Sequence, residues 1–207
     1  MNRYARYLYL LRLVRQSMKR NNRNLLKTPL TIPFTPLTSS QSDTYCSACC
    51  DNSQVDLHTA KAILLNCMDF RLRDNVTCHL NLKGYKNAYD DVIAAGASLG
   101  YNGLANYSSW DTFIDSHISL AYDLHEISQI LIIEHENCGA YKKQYGSNIT
   151  LEEEDKYHSD NVKACAEKLW SKFNPIDGSI KKIEHLTIIG YLIAIDGCSL
   201  TELYRKQ

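Results

Sequence analysis

Thiolates and imidazoles are the side chains that a borderline-soft divalent metal prefers, and three of them stand where short apolar segments end. Cys67 closes the run Lys61 to Asn66 (KAILLN), while His135 and Cys138 come shortly after Ile130 to Ile133 (ILII). Two cysteines and a histidine make a zinc set with its fourth position open, the arrangement of a catalytic rather than a structural site. Taken alone, His135-x-x-Cys138 is equally the spacing of a buried cysteine beside a capping histidine. Asp69 and Arg71 lie just beyond Cys67, in Cys67-Met68-Asp69-Phe70-Arg71, and can form a charge-assisted pair beside a metal. A surface ion pair is the plainer reading of that couple, but both residues come directly after a buried segment, where an unpaired charge is costly.

These residues converge only if the segments before them are neighbouring strands whose ends share one edge of a sheet, where functional loops gather. The sequence supplies such strands. Lys61 to Asn66, Val92 to Ala95, Ile130 to Ile133 and a stretch within Leu186 to Ile195, interrupted by Gly190, are short and apolar. Between them, Trp110 to His125 and Asp155 to Phe173 carry apolar residues at three- and four-residue spacing, the latter closed by Asn174-Pro175. Strands alternating with helices predict an α/β fold, with a mostly parallel central sheet covered by helices on both faces. The second strand runs into a small-residue turn, Ala95-Gly96-Ala97-Ser98.

C-x-D-x-R, here CMDFR, followed some 65 residues later by H-x-x-C-G, here HENCGAYK, resembles the β-class carbonic anhydrases. The likeness continues in order through YDDVIAAGAS, WDTFIDSHISLAYDLHEISQILIIEHENCGA and IEHLTIIGYLIAIDG, over roughly residues 60 to 200. It implies Zn2+ on Cys67, His135 and Cys138, a catalytic pair Asp69 and Arg71, and substrate contacts from Gly96, Ala97, Ser98 and Gly139. It also implies about four parallel strands plus one antiparallel strand, and assembly into a homodimer or a larger homo-oligomer. Ala94-Ala95 stands where the family usually has Arg-Asn, which marks a divergent branch.

The activity implied is reversible hydration of carbon dioxide to bicarbonate by hydroxide held on zinc. Two thiolates cancel the metal's charge and acidify its water less than three histidines would, so Asp69, oriented by Arg71, has to assist. Release of Asp69 from Arg71 would let the carboxylate take the fourth metal position, and sites of this family occur in open and closed forms. The alternatives are a zinc hydrolase acting on carbonyl sulfide or carbon disulfide, and a catalytically silent zinc-binding scaffold.

With 44% apolar and 22% charged residues, the chain of 207 residues is ordinary globular material. No apolar run approaches the ~20 residues of a membrane span, and a balance of 23 bases against 23 acids argues against a nucleic-acid binder. That balance averages two unlike parts. Residues 1 to 42 hold eight bases and no acid, from Arg3 to Lys27, and at 100° per residue the first part is an amphipathic basic helix. Thr28 to Ser42 reads as a linker. The expected organisation is therefore a basic segment over 1–42 and a zinc domain over 43–207, ordered from about residue 55. Targeting to mitochondria, a membrane-surface helix, a subunit arm and a basic tail all suit the segment; without targeting, a cytoplasmic location is expected.

Of the remaining candidates, Cys46, Cys49, Cys50 and His58 would make a second zinc site of unusual spacing, or else acylated thiols. Cys78-His79, Cys165 and Cys198 read as packing, and His117 and His125 as core histidines on a helical face. Glu152 to Asp155 reads as a solvated acidic run opening a helix.

Overall fold

The structure is a computed structural model that describes residues 58–207 apart from Ser108 and Asp177. The basic segment, its linker, Cys46, Cys49 and Cys50 lie outside the described residues, and His58 is exposed.

Five strands form one sheet in the order β2-β1-β3-β4-β5. β1 (Ala62–Asn66), β2 (Tyr89–Ile93), β3 (Gln129–His135) and β4 (Thr187–Ile193) run parallel, and β5 (Leu200–Lys206) returns antiparallel to β4. The two-residue period of a strand sends alternate side chains to opposite faces. Ile63 and Leu65 of β1 enter one core, and Ala62 and Leu64 enter the other. Both faces being covered, β1 and β3 tolerate no polar alternation, which is why KAILLN and ILII are continuous apolar runs.

The first core is roofed by α2 (Ser98–Gly103), α3 (Trp110–His125), α4 (Gly139–Tyr145) and α5 (Leu151–Phe173), which contribute Leu99, Ile118, Tyr141 and Leu169 among others. The second is covered by α1 (Arg73–Leu82), through Val76 and Leu80. Gly190 does not interrupt β4 as expected, since the strand runs through it, and the residue is small because α5 lies directly on it. A Cβ there would collide with Val162 Cγ1.

The expected α/β architecture is present, and its edges differ from expectation for identifiable reasons. β2 begins at Tyr89 rather than Val92, because an edge strand half open to solvent can carry Asp90 and Asp91. α5 begins at Leu151 rather than Asp155: Thr150 accepts a hydrogen bond from the Glu153 N–H, and Glu153 answers on the Thr150 N–H, a complete capping box. The acidic run is not uniformly solvated, since Glu154 is buried. α3 turns Ile114, Asp115, Ile118 and Ala121 inward, so that Phe113 and Leu124 are exposed.

The structure corrects several single-residue expectations. Cys165 is buried, but Cys78 on α1 and Cys198 in the β4–β5 turn are exposed thiols rather than packing. His117 is exposed on α3 with its Nδ1 3.0 Å from the Phe113 carbonyl, and His125 pairs with Asp90 at 2.8 Å; neither is a core histidine.

Candidate metal centre

Asn66, the last residue of β1, is paired in register with Ile133 of β3, so the two strands end at the same edge of the sheet. Cys67 comes directly after β1, His135 is the last residue of β3, and Cys138 is the N-cap of α4. Their ligating atoms all lie within 4.8 Å of one another, and the two Sγ atoms are 4.0 Å apart. All three residues are buried.

The His135 ring is fixed by its own loop. Nδ1 lies 2.9 Å from the Glu136 carbonyl, which can only accept, so Nδ1 carries a proton and the neutral ring has its lone pair on Nε2. Among the described residues Nε2 is buried without a hydrogen-bond partner. Leaving such an atom unsatisfied costs about 1–3 kcal/mol, and a metal cation is the kind of partner that a buried lone pair beside two sulfurs suits. The hydrogen bond to Cys138 pulls the Cys67 thiol below its ordinary value against the effect of burial, and the Gly96 N–H, 3.3 Å from Sγ, adds to this. Cys138 is pushed up correspondingly, because it keeps the proton the pair shares. Two sulfurs, one of them biased toward the thiolate, and a free imidazole nitrogen fit zinc.

Asp69 and Arg71 form the expected pair. Arg71 Nη2 reaches Asp69 Oδ2 at 2.6 Å and Nε reaches Oδ1 at 2.9 Å, a forked contact that engages both carboxylate oxygens. Asp69 also caps the single 3-10 turn Phe70–Leu72 by accepting the Arg71 N–H at 3.0 Å. These bonds hold Asp69 down to about 2, firmly ionised. Arg71 Nη2 further donates to the Asn137 carbonyl at 3.2 Å, which ties the Cys67 loop to the Cys138 loop. Asp69 Oδ2 stands 3.7 Å from His135 Nε2, so the carboxylate borders the ligand set.

The small-residue turn serves the ligands from behind. Gly96 at φ +70° and Ala97 at φ 39° both adopt backbone that favours glycine, and for Ala97 this is stored strain beside the site. The Gly96 N–H is committed to Cys67 Sγ. The Ser98 N–H and Oγ donate to Glu134 Oε1 at 2.7 and 2.5 Å, with Ser98 fully buried. Gly96, Ala97 and Ser98 therefore do not line the cleft in front of the ligands, whereas Gly139 does. That cleft, of about 500 Å³, has apolar walls from Met68, Phe70, Leu104, Tyr107 and Trp110, with Asp69 and Lys143 as its charged members.

Three buried ionisable residues behind the centre carry no motif in the sequence: Glu134, Glu154 and His158. Glu154 Oε2 and Oε1 accept the N–H groups of Asn137 and Cys138, each at 3.0 Å. His158 Nδ1 is 3.5 Å from Glu134 Oε2, and its Nε2 is 3.9 Å from Glu154 Oε1. A weaker signal is present, since Glu154 and His158 stand four apart on the apolar stripe that continues through Val162, Cys165 and Leu169.

Comparison with known proteins agrees with this geometry. A family described as "Putative carbonic anhydrase" matches residues 57–180. An uncharacterised protein of Rickettsia bellii is 30% identical over 155 residues, covering 73% of this chain and 86% of that protein. One from Rickettsia conorii is 30% identical over 145 residues, covering 68% and 71%. Among solved structures, a β-carbonic anhydrase of Coccomyxa in complex with acetazolamide aligns over 83% of this chain and 89% of its own, with TM-score 0.52 and 15% identity. A tetrameric β-carbonic anhydrase of Sordaria macrospora aligns over 81% and 96%, with TM-score 0.52 and 14% identity. At such identities the structural likeness concerns the fold alone.

Proposed function

Since the chain belongs to this carbonic anhydrase family, we propose that it is a zinc enzyme, a lyase of β-class type, that reversibly hydrates carbon dioxide to bicarbonate. The observation that carries this reading is the meeting of a buried Cys67–His135–Cys138 set, one imidazole nitrogen unpartnered, with an ionised Asp69 at an apolar cleft. Cys67, His135 and Cys138 would hold the zinc, which supplies a water acidified to near neutrality and a Lewis-acid centre.

The chain's own residues do the rest. Asp69, kept ionised by Arg71, offers a carboxylate that accepts a hydrogen bond from the attacking water and so orients it. While both Asp69 oxygens are engaged by Arg71, the carboxylate is oriented as an acceptor rather than free to swing in as a ligand. The apolar walls from Leu104, Tyr107 and Trp110 suit a small uncharged substrate, and Lys143 favours an anionic product.

Met68 and Phe70, 65% and 84% exposed beside the cleft, are apolar surface of the kind that a second copy covers, and we assign the protein to homodimers or larger homo-oligomers. The test is stopped-flow hydration of carbon dioxide by metal-replete protein, with carbonyl sulfide and carbon disulfide assayed in parallel. Hydration is expected, with kcat/KM falling roughly 10²–10⁴-fold in Asp69→Asn at unchanged metal content. Full zinc occupancy without hydration would overturn the carbon dioxide reading, and turnover of a sulfur substrate would replace it.

A further inference from the structure

Behind the ligands lies a buried charge cluster that the proposed chemistry does not use. Glu134, His158 and Glu154 are 0%, 0% and 4% exposed, and each carboxylate has a backbone task at the metal centre. Glu134 holds Ser98, and so the turn whose Gly96 N–H rests on the Cys67 sulfur. Glu154 holds the N–H groups of Asn137 and Cys138. The imidazole of His158 lies between the two carboxylates, with one ring nitrogen toward each.

We propose that His158 is a positioning residue for the metal centre: its buried ring lies between Glu134 and Glu154 at ion-pair distances of 3.5 and 3.9 Å, and through them keeps the Gly96–Ser98 turn and the Asn137–Cys138 loop in the geometry that presents the ligands. The inference rests on the metal-centre reading above. Two buried carboxylates converging on one point repel unless a cation separates them, and such repulsion is strong in a weakly polarisable interior. From β3 the group facing the ring is Glu134, from its own helix α5 it is Glu154, and from α4 it is the Tyr141 ring, 4.0 Å away centroid to centroid. Burial keeps Tyr141 neutral, so it adds no charge of its own. Burial by itself would discharge His158, but the flanking carboxylates outweigh it and raise the ring to about 9. The cluster thus carries one net negative charge, and removing the imidazolium leaves two.

That arithmetic sets the experiment. Zinc affinity is measured by chelator competition, and ligand geometry by the visible spectrum of the cobalt(II)-loaded protein, for wild type, His158→Gln and the double variant His158→Gln/Glu134→Gln. The double variant restores the net charge of the wild-type cluster, and its amide oxygen at position 134 can still accept from Ser98. His158→Gln is expected to bind zinc about 10–100-fold more weakly with an altered cobalt spectrum, and the double variant to recover most of both. Wild-type affinity and spectrum in His158→Gln, or a double variant no better than the single one, would overturn the proposal. If His158→Gln does not fold, nitrogen-15 correlation spectra of the zinc-loaded wild type decide: both ring nitrogens of His158 protonated at neutral pH support the proposal, and a neutral ring overturns it. A wild type that takes up no zinc would instead refute the metal-centre reading.

Discussion

Cys67 and Cys138 have the same chemistry but different surroundings, and the difference shows what each ligand depends on. The Cys67 sulfur receives the Gly96 N–H from the neighbouring strand's turn, while the Cys138 backbone N–H is held by Glu154 from α5. His135 contributes a nitrogen whose tautomer is set one residue away, at the Glu136 carbonyl. Zinc proposed on a buried set so prepared is expected to be lost when any member is removed. Cys67→Ser and His135→Ala should abolish stoichiometric zinc by elemental analysis, and Cys78→Ser, altering an exposed thiol on α1, should not. Retained zinc in a Cys67→Ser/Cys138→Ser variant would refute the assignment. His158 adds a pH signature. Its ring is raised to about 9 when folded against about 6.5 when unfolded, so its contribution to stability is complete below pH ~6.5 and is lost as pH rises through about 9. Denaturation midpoints between pH 6 and 10 should therefore decline more steeply for wild type than for His158→Gln.

At the scale of elements, α5 links the edge of the fold to the site. Its first turn carries the Thr150–Glu153 capping box, and the next residue is Glu154, which grips the ligand loop. Thr150→Ala should cost about 1 kcal/mol, seen as a fall of roughly 2–4 °C in Tm, and should also weaken zinc retention, because the cap and the grip share one turn. Zinc retention unchanged at a lowered Tm would separate the two. The elements legible in the sequence are those with a strong period or an unbroken apolar run: β1, β3, β4, α3 and the body of α5. The proposed metal ligands are legible because they come at or just after the ends of such runs. The start of β2 is hidden because an edge strand bears charge, and α4 and β5 have too little apolar pattern to show. The Glu134–His158–Glu154 cluster is hidden because ionisable residues on a helix opening read as solvated, and only the packing of α5 against β3 and α4 shows what they face. The turn Gly96 to Ser98 stands out by its small residues, but spacing alone does not say whether an N–H points at substrate or at a ligand.

The whole molecule divides its charge: residues 1–42 carry +8 and the remainder −8. Among the described residues, both cores are assembled from residue 60 onward, and no helix is long and apolar enough to cross a membrane. The acid-free, arginine-rich amphipathic pattern of residues 1–42 supports a targeting role as our proposal. A chain starting at Asp43 is then expected to fold and to bind one zinc with unchanged affinity, measured by elemental analysis and chelator competition. Residues 1–42 fused to a fluorescent protein are expected to carry it to mitochondria in a eukaryotic cell. A subunit arm predicts the opposite pair of results: the shortened chain changes its oligomeric state by light scattering, because apolar surface such as Met68 and Phe70 is joined by the surface the arm had covered, and the reporter stays diffuse. A diffuse reporter with an unchanged oligomer would reject both roles and leave a membrane-surface helix or a tail. Anionic vesicles then separate these two, since an amphipathic helix inserts its apolar face and stays bound at high salt, whereas a basic tail held by charge alone is released.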